Sequence, residues 1–227
     1  MDDPQRSLLY RWPTAAKFDR RVPKEKLYEH GTGTPAVREK FVAEVQRITW
    51  AFKLAETTIN LAGNTAVPEI QIFEIDAKGT NVTEPVLTAI DKAIPFPIIF
   101  EINRDDGETR STRMVAAHKQ LGSGAPKIGA YYSTGWQSAR TERQSLPTAI
   151  TLPALYTALL DPLTPMAARP GEDVSEVAAR LKAMRKLERE IAALERKLRT
   201  ETQFNRKVEL RRALKTKQAE LTMLVER

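Results

Sequence analysis

The 227-residue chain has no cysteine and only two histidines, His30 and His118. The first absence excludes disulfides, thiolate metal sites and thiol nucleophiles, and it suits a reducing compartment. The second makes a histidine-rich metal centre a poor expectation. No stretch approaches the roughly 18 uninterrupted apolar residues that a membrane span requires. Asp2 and Asp3 stand where a secretory leader would carry bases ahead of an apolar run, so no export signal is expected. Residues 172–227 lack proline and glycine altogether, and Phe204 is their sole aromatic. These absences describe a soluble, cytoplasmic protein without a cofactor, whose last quarter has nothing to interrupt a helix.

What is present begins with charge. The net charge is +7, and it is unevenly spread. Residues 1–170 carry 21 Lys and Arg against 19 Asp and Glu, whereas residues 171–227 carry 15 against 10. A basic segment of this kind attracts nucleic acid or an acidic protein surface.

Residues 1–33 read as an irregular lead with scattered aromatics. Thr34 offers a capping hydroxyl and Pro35 a first-turn proline, and Val37, Phe41, Val45, Ile48 and Phe52 recur at spacings of three and four. That spacing predicts one amphipathic helix over 35–56. Alternation in Ile70, Ile72 and their neighbours predicts a strand over 68–75. Asn81 and Glu84 form a capping pair for a short helix over 82–94. The run Phe96 to Ile102 fits a strand buried on both faces. Strand, helix and strand make a βαβ unit, so the two strands are expected parallel with a right-handed crossover. Residues 109–119 and 126–134 read as antiparallel strands, and Thr151 starts a short helix that Pro162 ends. The fold class is α/β (α+β): a mixed sheet with flanking helices.

The expected domains are an α/β domain over 1–161, a proline-rich linker over 162–171 and a basic helical arm over 172–227. Val174, Val177, Leu181, Met184, Leu187, Ile191, Leu194 and Leu198 form one apolar stripe, with a three-residue step at Met184–Leu187 where four is due. Val208, Leu210, Leu214, Leu221 and Leu224 form a second. Thr200 to Gln203 supplies no apolar residue between them. A coiled-coil hairpin fits this pattern, and one continuous helix is the competing reading. A hairpin covers its own stripe, so a monomer is expected.

Lys26-Leu27-Tyr28-Glu29-His30, Glu56 to Leu61, Ala89 to Pro97 and Gln203 to Leu210 resemble an uncharacterised bacterial domain-of-unknown-function family. The resemblance covers nearly the whole chain. It implies an accessory protein beside helicases and DNA methyltransferases, in clusters of restriction or phage-defence type. It implies no activity, because that family has no assigned catalytic residues.

The expected role is therefore a non-catalytic adaptor that binds a helicase or methyltransferase partner, with DNA contact through the arm. The alternative is a divergent metal-dependent nuclease using Glu74, Glu101 and Lys119. Such a site needs acids and a lysine around one scissile phosphate. Here Glu101-Ile102-Asn103 has asparagine where the lysine belongs. His118 could act as a base near neutral pH, yet a lone histidine at a strand end is ordinarily structural, and His30 has the same standing. Gly122 to Lys127 lacks phosphate-loop spacing and reads as a hairpin loop. Tyr10, Trp12, Tyr131, Tyr132 and Trp136 could stack on bases, but core packing is the plainer reading. Arg206, Lys207, Arg211, Arg212 and Lys215 put five bases into ten residues against one acid, Glu209. They are the candidate contact for DNA phosphate or an acidic protein groove.

Overall fold

Eleven residues whose spacing reads as the second half of a helix form a central strand instead. The computed structural model describes residues 8–30, 34–105, 107, 109–121, 126–169 and 171–226. The chain divides into two units, Met1–Ala167 and Ala168–Arg227. In the first unit the strands are β1 (Lys17–Arg21), β2 (Val45–Ala55), β3 (Glu69–Ala77), β4 (Ile98–Asp105), β5 (Arg110–Gln120), β6 (Lys127–Ser133) and β7 (Gln137–Ser138). Its helices are α1 (Lys24–His30), α2 (Pro35–Glu44), α3 (Glu56–Ile59), α4 (Glu84–Ala93) and α5 (Leu152–Leu160). The sheet follows chain order from β1 to β6, with β7 on β5. Every pairing is antiparallel except β3 with β4, where α4 carries the chain back to start a parallel strand.

The predicted helix over 35–56 is correct for its first half. Thr34 accepts the Val37 N–H and Pro35 opens α2. At Val45 the backbone turns extended, and nine of the eleven residues of β2 pair with β3. Two register shifts, at Val45/Arg47 and Trp50/Phe52, interrupt the strand's period of two. Val45, Ile48, Ala51 and Leu54 are consequently buried at intervals of three, which imitates a helical face.

The lead is likewise ordered where it was expected irregular. Residues 17–21 form β1, a charged edge strand on β2, and residues 24–30 form α1. Four of the five β1 residues are exposed, so no apolar alternation betrays it. Asn81 does not cap α4. Thr83 stands at the N-cap position without a side-chain bond to the helix, and its N–H and hydroxyl both donate to the Glu44 carboxylate at the end of α2, while Asn81 accepts from Arg113.

Both faces of the sheet are covered. On one, Val86, Leu87 and Ile90 of α4 and Phe41 of α2 pack on Phe73, Ile75, Phe100, Ile102, Val115 and Ala117. The alternate residues Ile70, Ile72, Ile99, Met114 and Ala116 are buried on the other, as are Leu155, Tyr156 and Leu159 of α5. There α5 lies against β3 and β5, and the Tyr156 hydroxyl donates to the Ala117 carbonyl at 2.8 Å. Burial on both sides explains why β3 and β4 read as near-continuous apolar runs. Each such side chain contributes about 1.5–3 kcal/mol.

The second unit consists of α6 (Val174–Thr200) and α7 (Phe204–Val225), which pack against one another. Asp173 caps α6 and Glu176 returns the bond, closing a capping box. The break after Thr200 needs no glycine, because the Glu201 carboxylate accepts the N–H groups of Thr202 and Gln203. Arg169 donates to the carbonyls of Leu224 and Glu226, where a cation suits the carboxyl end of α7. Lys217 occupies the spacing of Leu210, Leu214, Leu221 and Leu224, and its ammonium meets Glu190 at 3.3 Å and Glu220 at 2.8 Å.

Produced alone, residues 1–167 are expected to melt in one cooperative transition, because both covered faces of the sheet lie within them. A broad, non-cooperative calorimetric melt would show the unit boundary to be misplaced.

Candidate functional site

Parallel pairing sets Glu74 beside Glu101 and Asp76 beside Asn103, all on the face that carries α5. Glu101 is 1% exposed, a burial that an isolated carboxylate does not tolerate. Arg143, in the segment after β7, donates two hydrogen bonds to it, each 2.7 Å, and the Trp12 indole N–H supplies a third at 2.7 Å. Both oxygens of Glu101 are therefore engaged by a forked guanidinium. Glu74 beside it is half-buried, and burial first, then the Glu101 charge, pushes its carboxyl above the usual range.

The next layer toward the carboxyl ends of the parallel strands is also polar. Asp76 accepts from Arg47 Nε at 2.9 Å, from Arg110 Nη2 at 3.1 Å and from Asn103 Nδ2 at 3.2 Å. Thr112 donates to Asn103 Oδ1 at 2.7 Å.

Lys119 is on the opposite face. Its Nζ donates to Asp91 Oδ1 at 2.9 Å and to the carbonyls of Ile94 and Phe96 at 2.7 and 2.9 Å. It thereby meets the carbonyl of Ile94, the residue that ends α4, and that of Phe96 in the turn beyond it. Three acceptors match the three N–H groups of an ammonium, and Asp91 also accepts from the Tyr131 hydroxyl. Burial holds the Asp91 carboxyl above its ordinary range and the Lys119 ammonium below its own, while their contact with one another works against both shifts. Glu74 and Glu101 thus do not converge with Lys119, because the sheet itself lies between them.

His118 returns to the α5 face, its ring centroid 6.4 Å from that of Tyr156. Its Nε2 is buried with no hydrogen-bond partner, and burial lowers its pKa to about 4. It is neutral and structural at neutral pH. Tyr10, Trp12 and Tyr131 are buried core residues, and Trp136 lies beneath the guanidinium of Arg104 at 4.2 Å and of Arg113 at 4.9 Å. Residues 122–125 of the glycine-rich stretch lie outside the described residues, as does the His30 side chain.

On α7, Arg206, Arg211, Arg212 and Lys215 are exposed and Lys207 is half-exposed. Among the described residues none of the five enters a salt bridge. Arg47, Arg110 and Arg143, which complete the acids of β3 and β4, went unremarked in the sequence. Arg143 is 42 residues from Glu101 and carries no local pattern.

The class these features define is a mixed α/β sheet domain joined to a packed helical pair, with its most buried acids each held by a base. A family model described as a domain of unknown function (DUF4391) matches residues 11–221, and the chain belongs to that family. No curated protein and no solved structure matches it. Among the described residues no group of three or more acids and histidines is placed to hold a metal ion, and no helix is long and apolar enough to cross a membrane.

Lys119→Met is expected to destabilise the fold by about 3–5 kcal/mol in urea unfolding, since it strands Asp91 in the interior. A loss below about 1 kcal/mol would show the pair to be incidental. His118 yields a pH signature. The unfolded histidine takes a proton near 6.5, whereas the folded one resists it until about 4. Stability from this group is therefore intact above 6.5 and falls as pH drops through that window, by up to about 3 kcal/mol. Relative to the parent, His118→Leu should lose less stability between pH 7 and pH 4, and parallel pH curves would contradict this.

Proposed function

We propose that the chain is a non-catalytic assembly subunit of a bacterial DNA-directed complex of restriction or phage-defence type, acting in the cytoplasm. The basic face of α7 carries the reading. Among the described residues Arg206, Lys207, Arg211, Arg212 and Lys215 enter no salt bridge, while Lys217 and Arg180 on the same two helices are matched by Glu190, Glu220 and Glu172. Unmatched bases on a regular helix suit a row of phosphates or an acidic protein groove. In this reading α6 and α7 act as a coiled-coil hairpin, monomeric in isolation. The hairpin grips DNA or a helicase or methyltransferase partner, the setting the family resemblance implies. A non-catalytic role fits the closed state of Glu101, whose oxygens are taken by Arg143 and Trp12, and the separation of Lys119 from both acids.

The test reverses Arg211, Arg212 and Lys215 to glutamate. All three are exposed, so the melting temperature should hold. If they contact phosphate, the slope of log affinity against log salt should fall by about 3, at ~0.9 per contact, alike for all DNA sequences. If they contact a protein, the co-purifying partner is lost while DNA affinity stays. A variant that binds both as the parent does would refute the reading. Separately, plasmid cleavage with Mg²⁺ or Mn²⁺ that vanishes in Glu74→Gln would overturn the non-catalytic role in favour of a nuclease.

A further inference from the structure

The carboxyl ends of β3 and β4 open into a cleft of about 420 Å³ in the first unit. Its lining includes Arg21, Arg47, Arg104 and Arg110, against the acids Asp76 and Asp105. Arg104 sends its guanidinium to the other side of the sheet, over Trp136, so the side chains facing the cleft are three arginines against two acids, in a space the size of a small-molecule site. We propose that this cleft binds a phosphate group, presented by a mononucleotide or by the 5′ end of a nucleic acid.

The arrangement of the arginines supports this beyond their number. Asp76 is mostly buried, and it orients Arg47 through Nε and Nη2 and Arg110 through Nη2. Asp76 is itself held by Asn103, which Thr112 holds in turn. One carboxylate cannot neutralise two guanidinium groups. Among the described residues, the Nη1 of Arg47 and the Nε and Nη1 of Arg110 have no protein acceptor, yet both side chains are already fixed in direction. Arginines held this way give up little conformational freedom when an anion arrives, and their planar forks match phosphate oxygens. Arg21 is exposed on the edge strand β1 and makes no salt bridge among the described residues, which leaves a third guanidinium for the same anion. The location agrees with the habit of α/β sheets to place ligands beyond the carboxyl ends of parallel strands. Trp136, beneath Arg104, keeps that arginine in place by a cation–π contact.

The site is independent of the basic face of α7, so the two stand or fall separately. The full chain is titrated by calorimetry with inorganic pyrophosphate, with a nucleoside triphosphate, and with one short oligonucleotide bearing either a 5′-phosphate or a 5′-hydroxyl. Binding of pyrophosphate by the parent is expected. It should weaken about tenfold in Arg21→Gln and more in the Arg47→Gln/Arg110→Gln double variant, the loss of a charge-assisted hydrogen bond. The α7 triple variant should bind pyrophosphate within about twofold of the parent. Tighter binding of the triphosphate than of pyrophosphate assigns a mononucleotide. A preference for the 5′-phosphorylated oligonucleotide, lost in the cleft variants, assigns a nucleic-acid end. Should the double variant fail to fold, Arg21→Gln decides alone, since that side chain supports no ion pair. The proposal is overturned if the parent binds none of these ligands at millimolar concentration, or if Arg21→Gln binds them all as the parent does.

Discussion

A carboxylate buried in the middle of the sheet must be compensated, and at Glu101 the compensation organises much of the first unit. Withdrawing such a charge from water costs several kcal/mol, which only close and well-directed donors offset. Arg143 and Trp12 provide them, and they come from opposite ends of the unit. Arg143 also donates to the Tyr10 carbonyl, and the backbones of Leu9, Arg11 and Gln144 bond to one another. One acid on a central strand thereby holds the lead before β1 against the segment after β7. Apart from a 3-10 turn at Thr14–Ala16, neither stretch has a regular element to define its path.

The other face repeats the principle with the signs exchanged. Lys119 is the buried charge that demands partners, and the carboxyl end of α4 has carbonyls that demand a donor. One ammonium meets both needs and reaches Asp91 as well, so the crossover helix is pinned to β5 as well as packed on β3 and β4. These two ties account for the burial of Glu101 and Lys119. They also leave the outer layer, Asp76 with its two arginines, as the part of this polar system that opens to solvent.

Elements with an uninterrupted pattern were legible before any coordinates. The parallel pairing of β3 and β4, the strands β5 and β6, α5 with its Thr151 cap, and the apolar stripes of α6 and α7 all follow from periodicity and capping chemistry. β2 was illegible because two bulges change its period, and β1 because an edge strand in contact with water has no apolar alternation to display. The partners of Glu101, Asp76 and Asp91 were illegible for a different reason. Ion pairs between residues 28 to 42 apart are set by register and crossover geometry, which no local window contains.

The sequence by itself determined the absence of thiol chemistry, the concentration of positive charge in the last quarter, and the change to a purely helical segment after the proline-rich stretch. Those properties belong to residue types and their spacing along the chain. Tertiary structure alone decided that Glu74 and Glu101 share a face and that Lys119 does not. Strand alternation sends neighbouring side chains to opposite sides of a sheet, so a triad that looks plausible in one dimension is divided by the backbone in three. It also decided that three arginines from β1, β2 and β5 meet at one end of the parallel pair, because only the ordering of strands brings residues 21, 47 and 110 to a common edge.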